Sequence, residues 1–132
     1  MRTRLFIALM LTLSVFSLNV TAQSKQDLHI AYVLKNAKLD KEHAAKLKPL
    51  LVAYYQDMAK AKASHKALKD KLKSKEDAGK LTAAEADQLF ESKQKQEEAQ
   101  IAVVKKHYPI FKTVLSAPTA YKVIKLCNDK VK

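Results

Sequence analysis

Apolar side chains recur with a helical rhythm between Asp40 and Gly79. These positions, with one histidine among them, alternate spacings of four and three without a break: Leu47, Leu51, Tyr54, Met58, Ala61, His65, Leu68 and Leu72. A heptad pattern of this kind places its members on one face of one long helix. Gly79 is the sole glycine of the chain and the natural residue at which such a helix ends. The pattern therefore predicts a first long helix over residues 41 to 78.

Three leucines in the chain each precede a residue that can cap the N-terminus of a helix. In Leu81-Thr82-Ala83-Ala84-Glu85, the Thr82 hydroxyl and the Glu85 carboxylate can satisfy each other's free backbone N–H groups, which is the capping-box arrangement. Looser copies occur at Leu39-Asp40 and Leu115-Ser116, each with an alanine four places beyond the cap. These signals predict a second long helix over residues 83 to 114, antiparallel to the first, with short helices on either side.

The apolar face of the second long helix is uneven. Its stretch from Glu91 to Gln100 contains Ala99 as its only apolar residue, so we expect no dry core in the middle of the helix pair. Pro49 and Pro109 lie inside the predicted helices, where a proline removes a backbone hydrogen bond. The prolines either bend both helices near the end of the pair that lies far from Gly79, or they interrupt both helices there and leave the rest of the pair straight.

The fold that these patterns predict is all-α. It is a long, bent, antiparallel helical hairpin with short flanking helices, one of them an amphipathic helix near residues 26 to 37. Four aromatic residues gather at the open end, and a lone hairpin would leave them only partly covered: Tyr54, Tyr55, Tyr108 and Phe111. Exposed apolar patches of this kind mark interfaces, so we expect a homodimer.

The first residues have the form of a secretion signal rather than of a folded element. Arg2 and Arg4 precede an apolar run, and Val20-Thr21-Ala22 supplies the small residues that a signal peptidase reads. We expect cleavage after Ala22, export of the protein, and a single helical domain over residues 23–132. The run contains Thr12, Ser14, Ser17 and Asn19, which argues against a retained membrane anchor.

The domain that remains is strongly basic. Without Arg2 and Arg4 it carries 23 basic and 13 acidic side chains, a formal charge of +10, and such a surface attracts acidic partners. One stripe of lysines runs beside the apolar seam of the first long helix: Lys62, Lys66, Lys69 and Lys73. This stripe is either a solvated face or a basic groove that meets partner proteins.

Catalytic and metal sites find little support in the sequence. The four histidines show no i, i+4 pairing with a histidine or a carboxylate, and no phosphate-binding loop can be built with one glycine. We therefore expect no enzyme activity, no cofactor and no metal site. Cys127 is the only cysteine, so it either packs as a small apolar residue or pairs with a second subunit.

The order of these elements resembles the Spy/CpxP-like periplasmic family, which is known for LTxxQ motifs. Leu81-Thr82 matches the first half of that motif with Glu85 in place of the glutamine, and Leu39-Asp40 with His43 is a weaker copy. The segment from Lys106 to Lys112, followed by Leu115-Ser116, is similar to a stretch in exported helical proteins of this kind. The resemblance spans residues 23–132.

The resemblance implies a cradle-like periplasmic homodimer that acts without ATP, either as a chaperone for unfolding proteins or as a stress adaptor that binds an envelope sensor. Candidate client-binding residues are the four lysines and a set of aromatic and apolar neighbours: Lys62, Lys66, Lys69, Lys73, Tyr54, Tyr55, Met58, Tyr108 and Phe111. A zinc-responsive sensor or accessory protein is one alternative. Another is a basic helical protein that contacts anionic membrane surfaces, whereas export argues against nucleic acid as a partner.

Overall fold

The computed structural model describes residues 25–129, which form four α-helices and no strand. Helix α1 covers residues 25–37, α2 spans Lys41–Asp77, α3 spans Ala83–Phe111 and α4 spans Ala117–Asn128. The all-α prediction is confirmed for this part of the chain. The predicted signal peptide lies outside the described residues.

The three predicted N-caps are confirmed by hydrogen bonds. Oδ1 of Asp40 accepts from the backbone N–H of His43 at 2.8 Å, and Oγ of Ser116 caps α4 in the same way at 3.4 Å. At the start of α3, Oγ1 of Thr82 accepts from the N–H of Glu85 at 3.1 Å, and Oε1 of Glu85 accepts from the N–H of Thr82 at 3.0 Å. This reciprocal pair is the capping box, and it satisfies two backbone donors that the helix itself leaves free.

Left-handed residues end the first two helices. Gly79 has φ +67° and closes α2, where its N–H donates to the carbonyl of Glu76 at 3.1 Å and the next N–H, of Lys80, donates to Lys75 at 2.8 Å. These two bonds are a Schellman motif, as the glycine predicts. Lys38 follows α1 with φ +54°, and it is the one other left-handed residue among those described. No glycine or asparagine stands at that position to signal the turn.

Helix α3 ends at Phe111 rather than at residue 114 as predicted. Beyond it the N–H groups of Thr113 and Val114 donate to carbonyls three residues back, at 3.1 and 3.2 Å. Such bonds tighten the chain into turns and bring it to the extended N-cap Ser116, at ψ 157°. The tighter turn leaves Leu115 buried in the core and starts α4 two residues later.

The predicted face of α2 is confirmed. Six of its eight heptad positions are the buried residues of the helix, and Ala61 and Leu68 are half-buried. The main core lies toward the N-terminal half of α2, where α1, the end of α3 and α4 meet it. It comprises Ile30, Val33, Ala37, Leu47, Leu51, Tyr54, Met58, Phe111, Leu115, Ala120, Val123 and Ile124.

Helices α2 and α3 pack along each other in opposite directions. Nζ of Lys75, near the end of α2, donates to Glu85 at 2.9 Å near the start of α3. Nζ of Lys106, near the end of α3, donates to Asp57 at 2.9 Å. Beyond the main core these two helices continue as a pair, with Leu72 as the buried apolar residue nearest to the turn.

Candidate functional site

The lysine stripe lies on the part of α2 that the main core does not reach. Lys62, Lys66, Lys69 and Lys73 are all exposed. Within residues 25–129 none of the four forms an ion pair, whereas Lys46, Lys75 and Lys106 do. Their charges are therefore presented to solvent and to any partner that approaches this face.

A polar groove of about 620 Å³ lies between α2 and α3 at the height of the stripe. His65 forms its floor, with Nδ1 at 3.0 Å from Oγ of Ser92 in a hydrogen bond between the helices. The walls carry Lys60, Glu91 and Lys95, so both signs of charge line the groove. Helix α3 buries only His107 and Phe111, which confirms that the middle of the helix pair is not a dry core.

The aromatic residues at the open end are placed differently from our expectation. Tyr54 is 1% exposed and Phe111 is fully buried, so the prediction that both are only partly covered is wrong. The physical reason is that α1 and α4 close over this end of the helix pair and bury the aromatic face in the main core. Met58 is also buried, at 8% exposure. These three side chains present almost no surface to a client.

Tyr55 and Tyr108 are half-buried and keep part of their surface outside the core. Nζ of Lys112 lies 4.9 Å from the ring centre of Tyr108, a cation–π arrangement. Of the predicted client-binding residues, the four lysines and these two tyrosines therefore remain accessible. Lys62 and Tyr55 line one small cavity at the edge of the core, whereas the other three lysines lie further along α2 and Tyr108 lies on α3. The structure therefore does not gather all six into one patch.

A charged network that the sequence analysis did not identify joins α2 and α3. Oδ2 of Asp57 accepts from Nε2 of His107 at 2.7 Å and from Nζ of Lys106 at 2.9 Å. These hydrogen bonds, with that from His107 the stronger, hold the pKa of Asp57 down at about 2. His107 is 2% exposed, and its other nitrogen, Nδ1, is buried and has no hydrogen-bond partner among residues 25–129. A signal existed, because His107 lies on the apolar face of α3, three residues after Val104 and four before Phe111.

Cys127 is free and half-buried, and it packs against the core. Burial raises the pKa of its thiol to about 11, so the sulfur is protonated at neutral pH. Burial likewise raises the pKa of Tyr54 to about 12 and that of Tyr55 well above its usual range. The packing agrees with the interpretation of Cys127 as a small apolar residue.

Within residues 25–129, no three histidine, cysteine, aspartate or glutamate side chains come together where they could hold a metal ion. The same part of the chain has no helix whose length and hydropathy suit a membrane span. Comparison of the chain with protein-family models, with curated proteins and with solved structures finds no match.

Proposed function

We propose that this chain is an exported, ATP-independent helical protein that binds unfolding or acidic proteins through the lysine stripe of α2. One observation carries the proposal: within residues 25–129, four lysines lie exposed and without ion pairs along one side of a helix, beside a groove lined mainly by polar side chains. A dense positive field of this kind speeds encounter with acidic chains. The resemblance of the capping motifs to the Spy/CpxP-like family supports a periplasmic chaperone or envelope-stress adaptor.

Exposed apolar side chains on α3 supply apolar surface for the same role. On α3, Phe90 is 64% exposed and Ile101 is 55% exposed. An unfolding protein offers apolar segments that side chains of this kind can contact, while the lysines hold it by charge. In this proposal the antiparallel helix pair acts as a hairpin whose surface forms a cradle, with bends at Pro49 and Pro109.

The test measures how well the protein suppresses aggregation of a chemically unfolded, acidic test protein. We expect suppression at low salt and weaker suppression at high salt, since salt screens exposed charges beyond about 8 Å at physiological ionic strength. Replacing Lys62, Lys66, Lys69 and Lys73 with glutamine should reduce suppression and flatten its salt dependence. Helical content should persist, because glutamine is nearly as good a helix former as lysine.

A matched control removes the same charge from the other end of the molecule. Lys35, Lys41, Lys48 and Lys122 are exposed and belong to the helices around the main core. Their fourfold replacement with glutamine should leave most of the suppression in place. Equal loss in both variants would mean that net charge alone acts, and no suppression by the wild type would remove the client-binding proposal.

Binding to anionic vesicles, measured with the wild type and the same two variants, tests the membrane alternative. If the wild type binds such vesicles and does not suppress aggregation, the lysine stripe serves a lipid surface instead. A zinc-responsive role has no group of ligands to support it within residues 25–129, and zinc binding by the purified protein would reopen it.

A further inference from the structure

Charge is distributed unevenly along α3. No acidic residue lies between positions 99 and 128, and the second half of α3 with its C-cap carries Lys105, Lys106 and Lys112. The first half contains two lysines but is rich in acidic residues: Glu85, Asp87, Glu91, Glu97 and Glu98. The helix therefore runs from an acidic half to a basic half.

Four of these charged residues form a stripe along one side of α3. They lie seven positions apart, which is close to two helical turns, and they are Glu91, Glu98, Lys105 and Lys112. All four are exposed, and within residues 25–129 none of them forms an ion pair. The order of charges along the stripe is two negative and then two positive.

The dipole of α3 does not account for this order. A helix dipole stabilises charges within the first and the last turn of a helix. Glu91, Glu98 and Lys105 each lie more than one turn from either end of α3, and only Lys112 stands at an end. Their charges are therefore available to a partner outside the described chain.

The stripe is complementary to itself in the antiparallel direction. We consider a second copy of α3 placed against the first, with a two-fold axis between residues 101 and 102. Residues at equal distances on either side of the axis then face each other, as in any two-fold interface. Glu98 faces Lys105 of the second copy, Glu91 faces its Lys112, and both pairs occur twice. A parallel alignment in register would instead bring like charges together.

An exposed apolar side chain lies where this axis passes. Ile101 is 55% exposed and stands between Glu98 and Lys105 in the sequence. It lines a surface groove of about 630 Å³, to which Met58 and Val104 contribute further apolar groups. An apolar centre with charged residues around it is typical of helix pairs and of protein interfaces in general.

We propose that α3 is the surface on which two copies of this chain pair, antiparallel and about a two-fold axis beside Ile101. Ile101 of each copy packs at the groove of the other, and the pairs of Glu98 with Lys105 flank it. The proposal does not depend on client capture, because the lysine stripe lies on α2. The pairing covers Ile101, so contact with clients falls to Phe90, about 17 Å from the axis at the edge of the interface.

Exchange of the two central charges tests this pairing, with sedimentation velocity at several concentrations as the measurement. Lys105→Glu and Glu98→Lys each turn two attractive pairs into two repulsive ones, and each should raise the dissociation constant of the dimer about tenfold. The protein with both exchanges regains opposite charges and should dimerise nearly as well as the wild type. Lys95→Glu is the matched control, since Lys95 is exposed on α3 but lines the polar groove beside α2.

Cross-linking tests the direction of the pairing in a Cys127→Ser protein. Ala102→Cys lies beside the axis and should cross-link to its own counterpart with a short thiol reagent. Gln94→Cys is exposed on the same helix, but its counterpart lies about 22 Å away in the antiparallel pair, so it should not cross-link. Circular dichroism confirms that each variant is folded.

Three results would overturn the proposal. A wild type that stays monomeric at tens of micromolar removes the interface. Single exchanges that dimerise like the wild type, or a double exchange that does not recover, reject the pairing of Glu98 with Lys105. Efficient cross-linking through Gln94→Cys rejects the antiparallel direction.

Discussion

Single residues at the helix ends set the backbone turns at which two of the helices stop. Gly79 and Lys38 both adopt left-handed φ angles, +67° and +54°, and both follow a helix. Glycine takes this conformation freely, whereas a residue with a Cβ carries a strain of about 1–2 kcal/mol. The two turns are thus chemically unequal although their backbone angles are similar.

Lys38→Gly should therefore stabilise the protein. We expect the free energy of unfolding to rise by up to about 1 kcal/mol, since the relief of strain is partly offset by the greater freedom of glycine in the unfolded chain. Urea titration measures the change. Lys35→Gly is the control: Lys35 is exposed inside α1, where glycine should lower stability by roughly 0.5–1 kcal/mol. A loss of stability in the Lys38 variant would show that the lysine side chain itself matters there.

At the scale of elements, one carboxylate accepts two of the side-chain hydrogen bonds between α2 and α3. Asp57 binds both Lys106 and the buried His107, and these contacts hold its pKa at about 2, below the usual value of 3.8. A carboxyl group with a depressed pKa in the folded state stabilises the fold above its unfolded pKa. That contribution is lost as the pH falls through the folded pKa.

We therefore expect Asp57→Asn to remove part of the acid sensitivity of the protein. The difference in stability between wild type and variant should be constant above about pH 5 and should shrink as the pH falls from about 4 to 2. Urea midpoints measured across this range give the difference. Asp70→Asn, at an exposed position of the same helix, is the control and should show no such change. A difference that stays constant down to pH 2 would contradict the role of this carboxylate.

At the scale of the whole molecule, large apolar side chains remain uncovered. Leu28, Phe90, Ile101 and Tyr121 are each more than half exposed, although the aromatic face that first suggested a partner is buried. Self-association is one way to cover such side chains. The prediction of a homodimer therefore rests on these four residues instead of on Tyr54 and Phe111.

Light scattering at tens of micromolar should give the mass of a dimer. Ile101→Lys should shift the protein toward the monomer, because a buried lysine without a partner is costly at an interface. Lys105→Glu, at an exposed position one turn along α3, tests whether a charge change alone has this effect. A monomeric wild-type protein would remove the dimer from the proposal.

The helices themselves were predictable because their signals are local. The heptad of α2, the capping box at Thr82 and the glycine at residue 79 each act through neighbours within four residues along the chain. The coverage of Tyr54 was not predictable in the same way. A periodic pattern shows which face of a helix is buried, but it does not show that α1 and α4 are the elements that bury it.

For the candidate site, too, the features that depend on local sequence were predictable and those that depend on distant contacts were not. The exposure of the four lysines followed from their place beside the seam of α2, whereas the contact of Asp57 with His107 joins residues fifty positions apart. The left-handed turn at Lys38 escaped prediction for another reason, because lysine has no preference for that conformation.

The placement of the main core at one end of α2 gives the molecule two tiers of local stability. Leu47, Leu51 and Tyr54 pack with side chains from the three other helices, whereas His65 forms its hydrogen bond to α3. We therefore expect the backbone near His65 to open more readily than the backbone around the core. Amide hydrogens in the half of α2 that carries the lysine stripe should then exchange with solvent much faster than those in the main core, and without global unfolding. The half of α2 that carries the lysine stripe should therefore deform more easily than the half in the core. In the proposed function, this would let the stripe adjust to partners of different shape at little energetic cost.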